Sequence, residues 1–295
     1  MNKTRQSYIY AGLAILFWST IPTAFKISLG ELDVLTMLTI ATLTATLVLL
    51  IIILISGKWR LIRQNNGKDL INSAILGLIN PFLYYLILLK AYKLLPAQVA
   101  QPLNMIWPII LVFLSVLLLG QKIERKSFVA LFISFAGVYL ISSQGYPFRF
   151  GGSDLTGVLL ATGSSIFWSF YFILNVRDKR DEAIKLFLNF FFGSVYLLAA
   201  MILTGNWQAA TGLKGALGSV YVGIFEMGLT FFFWLKAISL ATTTDKVSSL
   251  VYFAPFFSLL FVHFILKEPV YYTTPAGLLL IIGGILIQNR NTIRI

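Results

Sequence analysis

The chain has 295 residues, of which 58% are hydrophobic and 12% are charged, and its net charge is +12. Soluble domains usually devote about a quarter of their residues to charged side chains, so this composition excludes a soluble fold. The basic residues lie in short clusters between apolar runs, which argues against nucleic acid as a partner and for a lipid bilayer. With no cysteine and a single histidine, the sequence predicts no metal site and no cofactor.

Ten apolar stretches follow one another, and most approach the roughly 20 residues that a helix needs to cross a bilayer. They are continuous rather than alternating, which favours helices over a barrel. Numbered as spans 1 to 10, they lie near 8–28, 33–55, 70–90, 97–119, 127–143, 155–175, 185–204, 214–235, 245–266 and 272–289. Span 1 follows Lys3 and Arg5 as a signal peptide would, but its length predicts a retained span. We therefore expect an all-α polytopic membrane protein.

Lysine and arginine set the expected orientation, because cytoplasmic loops of membrane proteins collect these residues. With the N-terminus in the cytoplasm, seventeen of the 23 basic residues fall on the cytoplasmic side. The sequence therefore predicts a multi-pass protein of the bacterial inner membrane with both termini cytoplasmic.

The two halves of the chain resemble each other. At offsets between 146 and 150 residues, Leu89-Lys90-Ala91 recurs as Leu235-Lys236-Ala237, Pro108 as Pro255, Gly137 as Gly284, and Phe17-Trp18-Ser19 as Phe167-Trp168-Ser169. We predict two five-span repeats, at 1–145 and 146–295. An odd number of spans makes the second copy inverted, an arrangement typical of secondary transporters that places the binding site near the bilayer midplane.

Several stretches match a known family pattern. They are Gly12–Ser19, Asn104–Pro108 running to Leu119–Lys122, Tyr252–Pro255 running to Leu266–Glu268, and Gly283-Gly284. With ten spans and a five-plus-five repeat, the chain resembles the EamA family of the drug/metabolite transporter superfamily, and its Asn-x-x-Trp-Pro element is similar to the branch of aromatic amino-acid exporters. That family commonly has Glu after spans 4 and 9. Here Glu268 keeps the second and Gln121 stands at the first, which we interpret as a packing contact at the loop.

Glu226 in the middle of span 8 is the clearest functional candidate, because ionisable groups inside a span are costly and usually face a cavity or a partner. The repeat offset maps it onto Asn80 in span 3, beside Pro81. Two interpretations remain open for Glu226. It binds a substrate amine or carries a coupling proton, or it is protonated and hydrogen-bonds a neighbouring helix. For Asn80 we expect an interhelical hydrogen bond.

Tryptophan and tyrosine usually mark the membrane surface, yet several lie inside spans here. Such aromatics, with polar tips, suit a cavity for a flat amphipathic solute, although ordinary packing remains the alternative for each one. The candidate cavity residues are Trp18, Ser19, Asn80, Tyr84, Asn104, Trp107, Trp168, Tyr171, Glu226 and Tyr252. Pro108 and Pro255 are interpreted either as hinges between outward-open and inward-open states or as static kinks.

These features predict a secondary transporter that exports amino acids, aromatic ones included, or related small organic metabolites by alternating access. No nucleotide-binding motif is present, so ATP is not the expected direct energy source. A membrane-embedded enzyme and a channel are the alternatives, but the sequence shows neither a catalytic constellation nor a filter. Substrate identity, direction of transport, proton coupling and the choice between monomer and homodimer stay open.

Overall fold

A computed structural model describes residues 3–119, 125–146, 153–205, 212–240, 250 and 253–289, and every regular element among them is a helix. The continuous helices are span 1 (Lys3–Glu31), span 2 (Val34–Ile55), span 5 (Arg125–Ser142), span 6 (Leu155–Arg177), span 7 (Glu182–Thr204) and span 10 (Thr273–Asn289). The interrupted ones are span 3 (Gly67–Gly77, Leu78–Leu83, Tyr84–Leu94), span 4 (Ala97–Asn104, Trp107–Leu119) and span 8 (Leu213–Tyr221, Val222–Thr230, Phe231–Leu240). Span 9 is described from Ala254 to Leu266, and a short helix, Trp59–Ile62, lies between spans 2 and 3.

Length and apolar composition fit a membrane. Within the described ranges, 6 helices are long and apolar enough to cross one, and they correspond to spans 1, 2, 3, 6, 7 and 8. Spans 5, 9 and 10 are shorter apolar helices. The prediction of an all-α polytopic membrane protein is confirmed.

Aspartates fix where several spans begin. The Asp33 carboxylate accepts hydrogen bonds from the backbone N–H of Leu35 and Thr36 at the start of span 2. Asp154 and Asp181 cap spans 6 and 7 in the same way. An anionic cap satisfies N–H groups that the first helical turn leaves unpaired and complements the positive end of the helix dipole. Most predicted boundaries therefore agree with the observed ones to within a few residues.

Spans 3 and 8 are both interrupted by a π-helical segment at matching positions. In span 3 the segment is Leu78–Leu83, and Asn80 within it has non-helical backbone angles of φ −145° and ψ 119°. In span 8 the segment is Val222–Thr230, which contains Glu226. A π-helical segment interrupts the regular hydrogen-bond ladder and is frequent at functional sites. The interruptions therefore fall on the two residues that the repeat pairs.

Spans 4 and 9 share a second matched feature. Their apolar helices, Trp107–Leu119 and Ala254–Leu266, are each 13 residues long and begin 147 residues apart. Pro108 and Pro255 are the second residues of these helices. Proline is tolerated there because the first turn does not use its missing N–H. Both prolines therefore lie in the first turn of a helical segment, and their interpretation as hinges or static kinks stays a prediction.

The spans of one half pack mainly against spans of the other half. Span 1 packs against spans 8 and 9, and span 6 packs against spans 3 and 4. Span 2 contacts spans 7 and 8, span 7 also contacts span 3, and span 5 pairs with span 10. Contacts between spans of the same half are few by comparison. The two halves of the sequence are therefore interlocked.

Glycines bring the crossing spans into backbone contact. A Cβ atom on Gly77 of span 3 would collide with the carbonyl oxygen of Asn189 in span 7. A Cβ atom on Gly223 of span 8 would collide with the carbonyl oxygen of Ala41 in span 2. Gly77 and Gly223 are 146 residues apart, and Asn80 and Glu226 each follow three residues later. Small residues at such crossings let helices pack closely within a membrane.

Replacing Gly77 with alanine should destabilise the protein. The added methyl group meets the backbone of span 7, and overpacking of this kind typically costs about 1–3 kcal/mol. The measurement is the thermal unfolding midpoint of the purified protein in detergent.

Gly163→Ala in span 6 is the matched control, because a Cβ atom there meets nothing within 4 Å. Alanine should instead stabilise that helix by up to about 1 kcal/mol. Equal midpoints for the two variants would contradict the close approach of spans 3 and 7.

Candidate functional site

Glu226 joins three spans at the centre of the molecule. The Tyr85 hydroxyl of span 3 donates a hydrogen bond to Glu226 Oε1 at 2.9 Å. The indole of Trp18, from span 1, lies against the same carboxylate. The second oxygen, Oε2, is buried and receives no hydrogen bond of good geometry from the described residues. Glu226 therefore does contact a neighbouring helix, and it also keeps one acceptor available.

Asn80 occupies the matching position in span 3 and is fully buried. Neither its Nδ2 nor its Oδ1 makes a hydrogen bond of good geometry with the residues that the structure describes, and the interhelical hydrogen bond expected for Asn80 stays a prediction. The Tyr171 side chain lies against it. Asn189 of span 7 donates from Nδ2 to the Tyr171 hydroxyl at 3.3 Å, and its Oδ1 is also unpartnered. The second polar group of the repeat is thus an unsatisfied amide cluster.

Trp168 is the centre of an aromatic cluster that connects several spans. Its ring centroid lies 5.1 Å from that of Tyr84, 5.6 Å from Phe231, 6.0 Å from Tyr171 and 6.4 Å from Trp107. These contacts bring together four of the aromatic residues predicted for the cavity. Tyr84 and Tyr171 are buried, whereas the two tryptophans are partly exposed. Phe231 joins the cluster without having been predicted.

Trp18 belongs to a second aromatic contact beside Glu226. Its ring centroid lies 5.2 Å from that of Trp234, and both side chains are partly exposed. Trp234 was not predicted from the sequence, whereas Tyr85 was recognised as an aromatic residue within span 3 but was not among the candidate cavity residues. Tyr85 had the stronger signal, since it follows a predicted site residue directly.

Asn104 organises the break in span 4. Its side chain accepts a hydrogen bond from Tyr84 at 3.2 Å and donates one to Ser164 at 2.8 Å. Its backbone carbonyl accepts from the Ser165 hydroxyl at 2.8 Å. In a continuous helix that carbonyl would accept from residue 108, where proline has no N–H. Asn104 therefore holds spans 3, 4 and 6 together with all these groups paired.

Ser19 and Tyr252 are the remaining predicted residues. The Ser19 hydroxyl is buried and donates to the Ile15 carbonyl of its own helix at 2.6 Å. Tyr252 lies outside the described residues. Span 1 thus contributes Trp18 to the central cluster, whereas Ser19 uses its hydroxyl within the helix.

Comparison with known proteins identifies the family. The EamA-like transporter family matches this chain over residues 5–143 and again over residues 155–290. The chain belongs to the EamA-like transporter family. Its interrupted spans and central aromatic residues are therefore features of a transporter.

Relatives extend this similarity over almost the whole length of this EamA protein. It is 27% identical to the "Uncharacterized transporter YvbV" of Bacillus subtilis (strain 168), over 98% of this chain and 93% of that one. It is 24% identical to the "Aromatic amino acid exporter YddG" of Ancylobacter novellus, over 52% of this chain and 53% of that one. A solved structure with a TM-score of 0.66 and 19% identity covers 96% of both chains and supports the fold.

This EamA protein closes one face with a cluster of charged and polar side chains. This N-terminal face is the side on which span 1 begins. Asp178 accepts hydrogen bonds from Arg180 at 2.5–3.1 Å and from Asn72 of span 3 at 3.1 Å. Arg180 also donates to Asn65 and Ser73. Burial alone would raise the pKa of Asp178, but hydrogen bonds and charge from Arg180 hold that pKa below its usual value. We call these contacts the Asp178 lock.

The opposite face is closed by Glu268, in the loop between spans 9 and 10. Its carboxylate accepts hydrogen bonds from the backbone N–H of Ala97 at 3.2 Å and of Gln98 at 3.4 Å, at the start of span 4. The Gln98 side chain in turn accepts from the Tyr271 backbone N–H at 3.2 Å. We call these contacts the Glu268 lock. They agree with the packing role expected for Glu268.

Lys26 fixes the neighbouring helix end. Its ammonium group donates to two carbonyl groups at the end of span 3, those of Tyr92 at 3.0 Å and Leu95 at 3.1 Å. A cation at the end of span 3 and an anion at the start of span 4 both complement the helix dipoles. The turn between spans 3 and 4 is therefore held from two sides.

Replacing Asn104 with alanine should lower stability, because Tyr84 and Ser164 lose a buried hydrogen-bond partner. An unsatisfied buried group costs about 1–3 kcal/mol. The thermal unfolding midpoint of the purified protein measures this loss.

Ser19→Ala serves as the control, since its hydroxyl bonds only within its own helix and such bonds contribute little to helix stability. If Asn104→Ala unfolds at the same temperature as Ser19→Ala, Asn104 does not hold the three spans together.

Proposed function

We propose that this protein is a secondary transporter that exports amino acids or related amphipathic metabolites by alternating access. The observation that carries the proposal is the Glu226 carboxylate, which has one buried and unpartnered oxygen beside aromatic side chains from both halves. Ionisable groups inside a membrane generally serve a substrate or ion pathway. The exporter named in Ancylobacter novellus supports amino acids as the substrate class.

The arrangement of the spans supports alternating access in which the moving units are pairs of spans, each pair with one span from each half of the sequence. Spans 3 and 7 are joined through Gly77, and spans 8 and 2 are joined through Gly223. Each pair combines one span from each half, so rigid motion of one half against the other would disrupt both contacts. We propose that these crossed pairs move as units and that the π-helical segments absorb the change.

The paired breaks also support the two inverted repeats, 1–145 and 146–295, as part of this proposal. Residues at the same offset interrupt spans 3 and 8 and begin the apolar helices of spans 4 and 9. The excess of basic residues on the N-terminal face supports cytoplasmic termini in a bacterial inner membrane.

Glu226→Gln should strongly reduce transport while the protein still folds. A hydrogen bond between an ammonium group and a carboxylate contributes about 1.5–3 kcal/mol. Its loss corresponds to a weakening of solute affinity by about 10- to 150-fold. Uptake of radiolabelled amino acids into proteoliposomes across a range of pH measures the effect.

Glu182→Gln is the matched control. Glu182 lies in the first turn of span 7, is half exposed and pairs with Lys185, so transport should remain at the level of the unmodified protein. Unchanged transport by Glu226→Gln at every pH would refute the proposed function. A loss of pH dependence along with transport would assign the coupling proton to Glu226.

The two locks should act in opposite directions. Opening one face requires its lock to break, so Glu268→Gln and Asp178→Asn should favour opposite conformations. Losing such hydrogen bonds costs about 1–2 kcal/mol, which shifts the populations by about 5- to 30-fold.

Cysteine labelling measures this shift without background, because the chain contains no native cysteine. Ser258→Cys reports on the interface beneath the Glu268 lock, where Ser258 bonds Gln101, and Leu174→Cys reports on the side of the Asp178 lock. Glu268→Gln should raise labelling at position 258 and lower it at position 174, and Asp178→Asn should do the reverse. Faster labelling at both positions with either variant would mean local unfolding, not alternating access.

A further inference from the structure

We infer that the central site selects arylalkylamines, which are primary amines on a flat aromatic body, over the corresponding amino acids. The inference rests on the proposed function, because it takes Glu226 as the group that binds the solute. It adds that the described residues offer no group that would bind the carboxylate of a solute. The distribution of charged groups among the described residues supports this inference.

The centre of the molecule contains the Glu226 carboxyl group, with no basic side chain bonded to it among the residues described. Glu226 is the ionisable carboxylate there, with Oε2 buried and unpartnered. Lys185 is the buried cation of the described chain, and it lies at the N-terminal face. It pairs with Glu182 at 2.8 Å and donates to the carbonyl groups of Asn175 and Asp178.

Four other basic groups of the described spans are engaged elsewhere or exposed. Lys26 is committed to two backbone carbonyl groups near the opposite face. Lys90 and Lys93, near the end of span 3, are exposed. Lys236, near the end of span 8, is exposed, and its ammonium group lies 6.0 Å from the ring centroid of Tyr10 and 5.8 Å from that of Phe232. Lys246 lies outside the described residues.

An ammonium group fits this site. It can donate to Glu226 Oε2 while Tyr85 continues to donate to Oε1. Trp18 and Trp234 supply partly exposed aromatic faces beside the carboxylate, and such faces attract cations. Trp168 and its neighbours offer a flat apolar surface for the rest of the solute.

A carboxylate fits it poorly. A buried carboxylate needs a cation or several N–H donors, and burying one without them costs several kcal/mol. The buried unpartnered donors among the described residues are neutral, and they include Nδ2 of Asn80 and the hydroxyl of Thr42. A second negative charge would also be repelled by Glu226. The ammonium group of an amino acid therefore favours binding and its carboxylate opposes it, whereas the matching amine has only the favourable contribution.

Binding of radiolabelled tryptamine to the purified full-length protein tests this inference. The competitors are tryptophan, tryptophanamide, which keeps the amine but has a neutral amide, and indole-3-acetate, which has only the carboxylate. Tryptamine and tryptophanamide should bind with affinities within about threefold of each other. Tryptophan should bind at least about tenfold more weakly, and indole-3-acetate should not compete. Glu226→Gln should abolish tryptamine binding while keeping its thermal unfolding midpoint.

Three results would overturn the inference. They are tryptophan binding as tightly as tryptamine, competition by indole-3-acetate, and no binding of any indole amine. In each case the proposed function stands if Glu226→Gln still abolishes transport of another organic solute in proteoliposomes. Transport that is independent of Glu226 refutes the proposed function itself, so the two failures are distinguishable.

Discussion

A helix inside lipid must satisfy its own backbone hydrogen bonds, because no water is available to replace them. This protein nevertheless interrupts spans 3, 4 and 8 within the described residues. Where the break in span 4 leaves the Asn104 carbonyl without a helical donor, the Ser165 hydroxyl of span 6 donates to it at 2.8 Å. The Ser169 hydroxyl of the same span adds a hydrogen bond to the Trp107 carbonyl at 2.8 Å. Polar side chains are concentrated at the centre because the interrupted helices need them there as hydrogen-bond partners. Glu226 lies in the same region.

Interrupting a span also changes which side chains face inward. A π-helical segment shifts the angular position of everything after it relative to a regular helix. Tyr85 and Trp234 each follow such a segment and meet Glu226 and Trp18. Extrapolation from a continuous helix would assign these residues different neighbours, which explains why their contacts could not be predicted from the sequence.

Other features were accessible from the sequence because they depend on composition and offset alone. Hydropathy finds the spans, and the rarity of carboxylates inside membranes identifies Glu226. The repeat offset pairs Glu226 with Asn80 and Pro108 with Pro255 without any structure. The helix that a given span packs against cannot be found in this way. A leucine-rich face is equally well accommodated by lipid and by another apolar helix. The pairing of span 1 with spans 8 and 9 therefore leaves little trace in the sequence.

The interlocking of the halves bears on how the protein is made. Chains are synthesised from the N-terminus, and early domains generally fold before later ones appear. Here spans 1 and 2 find their main partners in spans 7, 8 and 9, and span 5 finds its partner in span 10. The first five helices must therefore remain in the bilayer as separate helices until the second half of the chain has been synthesised. Their strongly apolar composition allows each helix to be stable in lipid before its partners are present, and it also suits the folded transporter.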